Sequence, residues 1–257
     1  MSLEEPRHAT LAGKLPREAI ISIIGFAVLW EILAQLAPTL GIPPFAVPSF
    51  TKIWASLSAV TFLDIAVTLA RVIAALVLSF VIGVAVAIAM YLSGAVERYL
   101  RPLIRLLMAV PVVSWILFAV LWFKGVEFRI VFVLVVVCAP VFVVDTLDAM
   151  RDVPKELRQM MRSFRPTFWQ FFSKLMLPAI MPGIFTSWKI TLSLAIRVVT
   201  IAELVGAVTG IGHKLQVAQE LFSVAEVFAW TLILVALLFL LESLVVRLET
   251  YVLRWRA

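Results

Sequence analysis

Runs of apolar residues dominate this chain, and they recur at the length a helix needs to cross a hydrocarbon layer. A crossing of about 30 Å at about 1.5 Å per residue takes roughly 20 apolar residues. Six stretches qualify: residues 19–37, 63–92, 103–123, 128–147, 184–206 and 226–247. The second is long enough to tilt or to begin outside the bilayer. The alternating pattern of a barrel strand is sustained nowhere, which leaves helices as the spanning solution. The expected fold is all-α: a polytopic membrane protein with six transmembrane helices. Residues 1–18 form a cytoplasmic tail, and residues 19–257 a single membrane domain.

Composition reinforces the pattern. Of 257 residues 63% are apolar and 15% charged, and mean hydropathy is +1.08. An ordinary soluble domain has about 45–50% apolar and about 25% charged residues. The net charge of +6 could suggest a nucleic-acid partner, but its placement argues against one. With the first residues inside, one side of the membrane holds Arg7, Lys14 and Arg17; Arg98, Arg101 and Arg105; Arg151, Lys155, Arg158, Arg162, Arg165 and Lys174; and Arg247, Arg254 and Arg256. These are fifteen of the 22 basic residues, against Lys52, Lys124, Arg129 and Lys214 on the other side. By the positive-inside rule both termini are cytoplasmic, and the basic excess is a topology signal. No small-x-small cleavage site closes the first apolar run, so it reads as a retained helix rather than a signal peptide. Cys138 is the single cysteine, and His8 and His213 fall on opposite sides of the membrane, so no disulfide or His–Cys metal site is expected.

The segment 155–182, KELRQMMRSFRPTFWQFFSKLMLPAIMP, departs from the rest. Asp152 and Pro154 signal a helix start, and Leu157, Met160, Met161 and Phe164 recur at the spacing of one helical face. Pro166 disfavours helical geometry at Arg165 and ends that helix. Thr167 and Gln170 form a capping-box pattern ahead of a second, aromatic helix containing Phe168 and Trp169. Pro178 and Pro182 are expected to turn the chain into the fifth span. Such an element suits a lipid surface, packing within the protein, or a soluble partner, since exposed aromatics, Met and Arg favour interfaces.

The segment resembles the cytoplasmic loop of binding-protein-dependent ABC importer permeases, in which Glu-Ala-Ala is followed by a Gly four residues on and by a helix ending in Leu-Pro. Gln159, Met160 and Met161 stand at the Glu-Ala-Ala positions, Arg165 at the Gly, and Leu177 and Pro178 at the closing pair. The stretches VPSFTKIWASL (47–57), TLARVIAALVLSFVIGVAVAIAM (68–90), LRPLIRLLMAVPVVSWILFAVLWF (100–123) and IAELVGAVTGIGHKL (201–215) are similar to the subgroup that serves nitrate, sulfonates, taurine and vitamin precursors. The resemblance covers nearly all of the chain after residue 19.

It implies a type I importer permease of a prokaryotic inner membrane, working by alternating access as one of two subunits, with a homodimer expected. A loop at about 148–182 would then be the coupling element that docks on a cytosolic ABC ATPase dimer through Gln159, Met160, Met161, Arg162, Phe164, Arg165, Phe168 and Trp169. An extracytoplasmic solute-binding protein is the other implied partner, besides membrane lipid. The only Gly-Lys pair, Gly13-Lys14, lacks the rest of a P-loop, so no cofactor is expected in this chain; ATP and Mg2+ would belong to the ATPase.

Two rival readings have their own features. The transmembrane component of an energy-coupling-factor vitamin importer also grips ATPases with cytosolic helices. A Mg2+-dependent membrane enzyme could use Asp145, Asp148 and Asp152, which share one helix face, although no second acidic cluster completes such a site. Within the spans, Arg71 and Glu203 are candidates for an intramembrane pair, and Arg197 for a charge on an anion pathway.

Overall fold

The computed structural model describes residues 17–43 and 46–256, so residues 1–16 of the expected tail lie outside it. The described chain is helical: α1 (Arg17–Leu36), α2 (Phe50–Ser56), α3 (Phe62–Leu92), α4 (Gly94–Ala109), α5 (Val112–Trp122), α6 (Val126–Arg151), α7 (Lys155–Ser163), α8 (Phe168–Phe171), α9 (Leu177–Leu204), α10 (Ile211–Glu220) and α11 (Val224–Val252).

The centre of the bundle is α6, packed between α3 and α9. Lipid tails are as apolar as leucine, so close packing rather than water exclusion must hold these helices together. At its centre lies Phe142 of α6, which is fully buried. Its ring lies 5.4 Å from Phe80 of α3 and 5.6 Å from Trp188 of α9, with Phe80 and Trp188 also 5.4 Å apart. Helix α3 comes this close because residue 83 is glycine: a Cβ there would sit 2.5 Å from the Phe142 Cβ. The first helix is peripheral. It is tied down where the Trp30 indole donates to the Pro48 carbonyl (3.1 Å) and packs at a tilt against Phe228 of α11, with ring centroids 5.1 Å apart.

Two expectations require correction. Residues 103–123 are not one straight span, because α4 and α5 meet at 95°. Pro111 is the cause: it forces Val110 out of helical geometry, to φ −72° and ψ 126°. Nor do Pro178 and Pro182 turn the chain, since the helix runs unbroken from Phe168 to Leu204 over 37 residues. A π-helical turn at Phe172–Met176 loosens the hydrogen-bond ladder just before Pro178, where proline's missing N–H would otherwise break it. The six-span count is not confirmed. Among the described residues four helices are long and apolar enough to cross a membrane, or five if the bent pair counts as one span. The apolar part of α1, Ile24–Leu36, is shorter.

Candidate functional site

The element between α6 and α9 projects from one end of the bundle. Neither α7 nor α8 contains a buried residue. Gln159, Arg162 and Arg165 are exposed, as are Met160, Phe164, Phe168 and Trp169, and Met161 is half-buried. The capping box is present: the Gln170 amide donates to Thr167 Oγ1 at 3.3 Å, and the Thr167 amide to Gln170 Oε1 at 2.9 Å. Helix α7 ends at Ser163 with Phe164 as its C-cap, and Arg165 follows in the left-handed region at φ 49°, its amide donating to the Arg162 carbonyl (3.0 Å). A left-handed residue just past a helix end is normally glycine. Arg165 therefore carries backbone strain that glycine would not, of about 1 kcal/mol.

At the opposite end the structure brings Arg71 and Glu203 together. Arg71 Nη1 donates to Glu203 Oε1 at 2.7 Å, and both side chains are buried. The same guanidinium donates to both oxygens of Glu127 at the start of α6 and to the Thr209 carbonyl (2.8 Å). Glu203 also receives the Gly212 amide (2.8 Å), and the Thr68 hydroxyl lies 2.9 Å from each of its carboxylate oxygens. Two further groups complete the arrangement: the Gly210 amide donates to Asp64 Oδ1 (2.8 Å) and the Ile211 amide to Thr68 Oγ1 (2.9 Å). The first amides of α10, which have no partners within their own helix, are thus satisfied by side chains of α3 and α9. Negative charge there also suits the helix dipole. Chemically this is a lock, closing the 205–210 loop onto the bundle, with every oxygen of the buried carboxylate paired.

Arg197 is not part of the lock. It is exposed on α9 and makes no ion pair among the described residues. It shares an exposed stripe with Ile190, Ile201 and Val205. The third basic residue inside a span, Lys189, is paired with Glu249 of α11 at 2.9 Å. The aspartates of the enzyme reading lie at the end of α6, and among the described residues no three His, Cys, Asp or Glu side chains group as metal ligands. Asp148 lines a cavity of about 180 Å3 together with Arg101 and Arg105.

Sequence reasoning did not name Asp64, Thr68, Glu127, Thr209 or Gly210 as members of the lock. Part of the signal was available: Asp64, Thr68 and Arg71 recur at i, i+4 and i+7, one face of α3. Glu127 carried no such signal, because it reaches Arg71 only through the packing of α6 on α3.

Residues 79–255 match the family described as binding-protein-dependent transport system inner membrane component. The chain is 27% identical, over 97% of its length and 89% of the relative's, to a putative aliphatic sulfonates transport permease protein of Bacillus subtilis (strain 168). It is 28% identical to a formylaminopyrimidine transport permease protein of Halalkalibacterium halodurans, over 93% of this chain and 96% of the other. Among solved structures it is similar in fold to a chain of the MetNI methionine ABC transporter in an inward-facing form. That match has a TM-score of 0.59 at 19% identity, over 80% of this chain and 95% of that one.

Proposed function

The chain belongs to the family of binding-protein-dependent transport system inner membrane components, and from that premise we propose how it takes part in transport. It is the multi-pass, inner-membrane permease subunit of a type I ABC importer, a transporter component rather than an enzyme. Membership implies an ATPase and a solute-binding protein as partners. The matches do not favour the energy-coupling-factor reading.

The observation that carries the mechanism is the unpartnered element α7–α8, which exposes Met160, Phe164, Phe168 and Trp169 at one end of a membrane bundle. In the proposed mechanism this end is cytoplasmic, both termini lie on that side, and the element seats in an ATPase that binds ATP and Mg2+. Closure of the ATPase pair then pulls on α9 through the continuous helix that begins at Phe168. Two copies of the chain form the pathway. Arg197 supports that arrangement, since an unpaired guanidinium within an apolar stripe is costly against lipid and is tolerated against a second subunit or a watery cavity. Its charge suits a small anionic or polar organic solute. The relatives' names span aliphatic sulfonates and a pyrimidine, so the charge on Arg197, not the names, supports an anion.

Transport is tested by reconstituting the chain with its ATPase and solute-binding protein in vesicles and measuring uptake of a short alkanesulfonate. ATP-dependent accumulation that requires both partners is the expected result. Accumulation without the binding protein would overturn the reading. Orientation is tested in intact cells with an impermeant thiol reagent: a cysteine at Val208 should react and one at Ser163 should not.

A further inference from the structure

Where α4 packs against the end of α6, a cavity of about 180 Å3 has Arg101 and Arg105 of α4 on one wall and Asp148 of α6 on the other. Ile104, Val143 and Leu147, all buried, supply its apolar lining. We propose that this cavity binds one small soluble zwitterion of the ω-amino acid class, with its carboxylate on Arg105 and its ammonium group on Asp148. The proposal goes beyond the transport reading and does not rest on it, since binding needs neither the ATPase nor the solute-binding protein.

The division of charge between the walls is the first argument. Arg101 and Arg105 stand at i and i+4 on one helix face, and Arg101 is held by Glu97 at 2.6 Å. Neither Arg105 nor Asp148 forms an ion pair among the described residues, with the other or with any further side chain. The cavity therefore presents one uncommitted charge of each sign, on opposite walls. A simple anion drawn to Arg105 meets the Asp148 carboxylate, and a simple cation drawn to Asp148 meets the guanidiniums. A solute carrying both charges is matched at both walls. The guanidinium donates and the carboxylate accepts, so each end of such a solute makes a charge-assisted hydrogen bond.

Size is the second argument. A cavity of about 150 Å3 takes a benzene ring, so one of about 180 Å3 admits a solute of roughly six to eight non-hydrogen atoms. An amine and a carboxylate joined by a short methylene chain fall in that range. The buried apolar lining then covers the methylenes while the charged ends reach the two walls, the combination of apolar surface and a few converging polar groups that small-molecule sites use. An ethanolamine phospholipid headgroup carries the same pair of charges, and direct comparison separates it from a soluble solute.

The probe is β-alanine, compared with propanoate and propylamine, which each keep one of its two charges. Each is titrated onto the full-length protein in detergent and followed by isothermal calorimetry. One β-alanine per chain should bind, at least about tenfold more tightly than either analogue. Asp148→Asn should make β-alanine and propanoate bind equally, and Arg105→Gln should do the same for β-alanine and propylamine. The charge-conserving Asp148→Glu and Arg105→Lys should keep most of the preference, which separates loss of charge from loss of fold. Arg98→Gln, which does not line the cavity, should leave it unchanged. Equal binding of the three probes by the unmodified chain, an undiminished preference in Asp148→Asn or Arg105→Gln, or a loss caused by Arg98→Gln would each overturn the assignment. Tighter binding of dihexanoylphosphatidylethanolamine than of β-alanine would overturn it too, by giving the cavity to a lipid headgroup.

Discussion

Arg71 on α3 and Glu203 on α9 form a buried ion pair at 2.7 Å, with side chains 4% and 0% exposed. Burying two charges is expensive, and their attraction offsets the cost only when the remaining hydrogen-bonding positions are filled. Here they are filled, by Glu127 and Thr209 on the arginine and by Thr68 and Gly212 on the carboxylate. Removing one member should therefore cost more than removing both. Glu203→Gln and Arg71→Gln are each expected to destabilise by about 3–5 kcal/mol, and Arg71→Met/Glu203→Leu by clearly less than the sum of the single changes. Membrane abundance and thermal unfolding in detergent measure this, and additive losses would show that the pair is not coupled.

Gly210 tests the same lock from the backbone. Its φ is +110°, and a Cβ there would lie 2.5 Å from Glu203 Oε1. Gly210→Ala combines backbone strain of about 1–3 kcal/mol with displacement of the carboxylate. It should lower the unfolding temperature, whereas Gly94→Ala, where an added Cβ meets nothing within 4 Å, should not. Equal behaviour of the two variants would contradict the geometry.

At the α7–α8 end, Phe168→Ala/Trp169→Ala removes two exposed rings proposed to dock the ATPase. Interface aromatics commonly cost about 2 kcal/mol or more when truncated. The purified permease should shed its ATPase while remaining monodisperse in detergent. Retention of the ATPase, with unchanged stimulation of hydrolysis by the binding protein, would remove these residues from the docking surface.

Arg197→Gln is expected to reduce uptake of an alkanesulfonate by about tenfold, equivalent to about 1.4 kcal/mol. Assembly and ATP hydrolysis should persist, because Arg197 supports no intrachain ion pair among the described residues. A normal uptake rate would take it out of the pathway, and loss of the protein would make its role structural.

Arg165→Gly relieves a left-handed backbone at φ 49°. Relief is worth about 1 kcal/mol, less what glycine's freedom costs in the unfolded chain. Unfolding in lipid-free detergent should show a small gain in stability. Arg165→Ala, which keeps the Cβ and so keeps the strain, should show none.

Much of the architecture was legible along the chain because a bilayer imposes a one-dimensional requirement. Each crossing needs its own apolar length and its own closed hydrogen-bond ladder, and both are written locally. The long helices α3, α6, α9 and α11, and the Thr167 capping box, follow from residues within a turn or two of one another. The 95° bend at Pro111 was local too, but hydropathy counts a proline within an apolar run as part of the span. Only the tertiary structure could decide who partners whom. Arg71 reaches Glu127 and Glu203 across 56 and 132 residues of sequence, contacts that form only once α3 packs against α6 and α9. Arg197 and Arg71 look alike in sequence, each one basic residue in an apolar run. They differ because α9 turns Glu203 toward the packed interior and leaves Arg197 on its exposed flank, and a helical face acquires an inside only when another helix covers it.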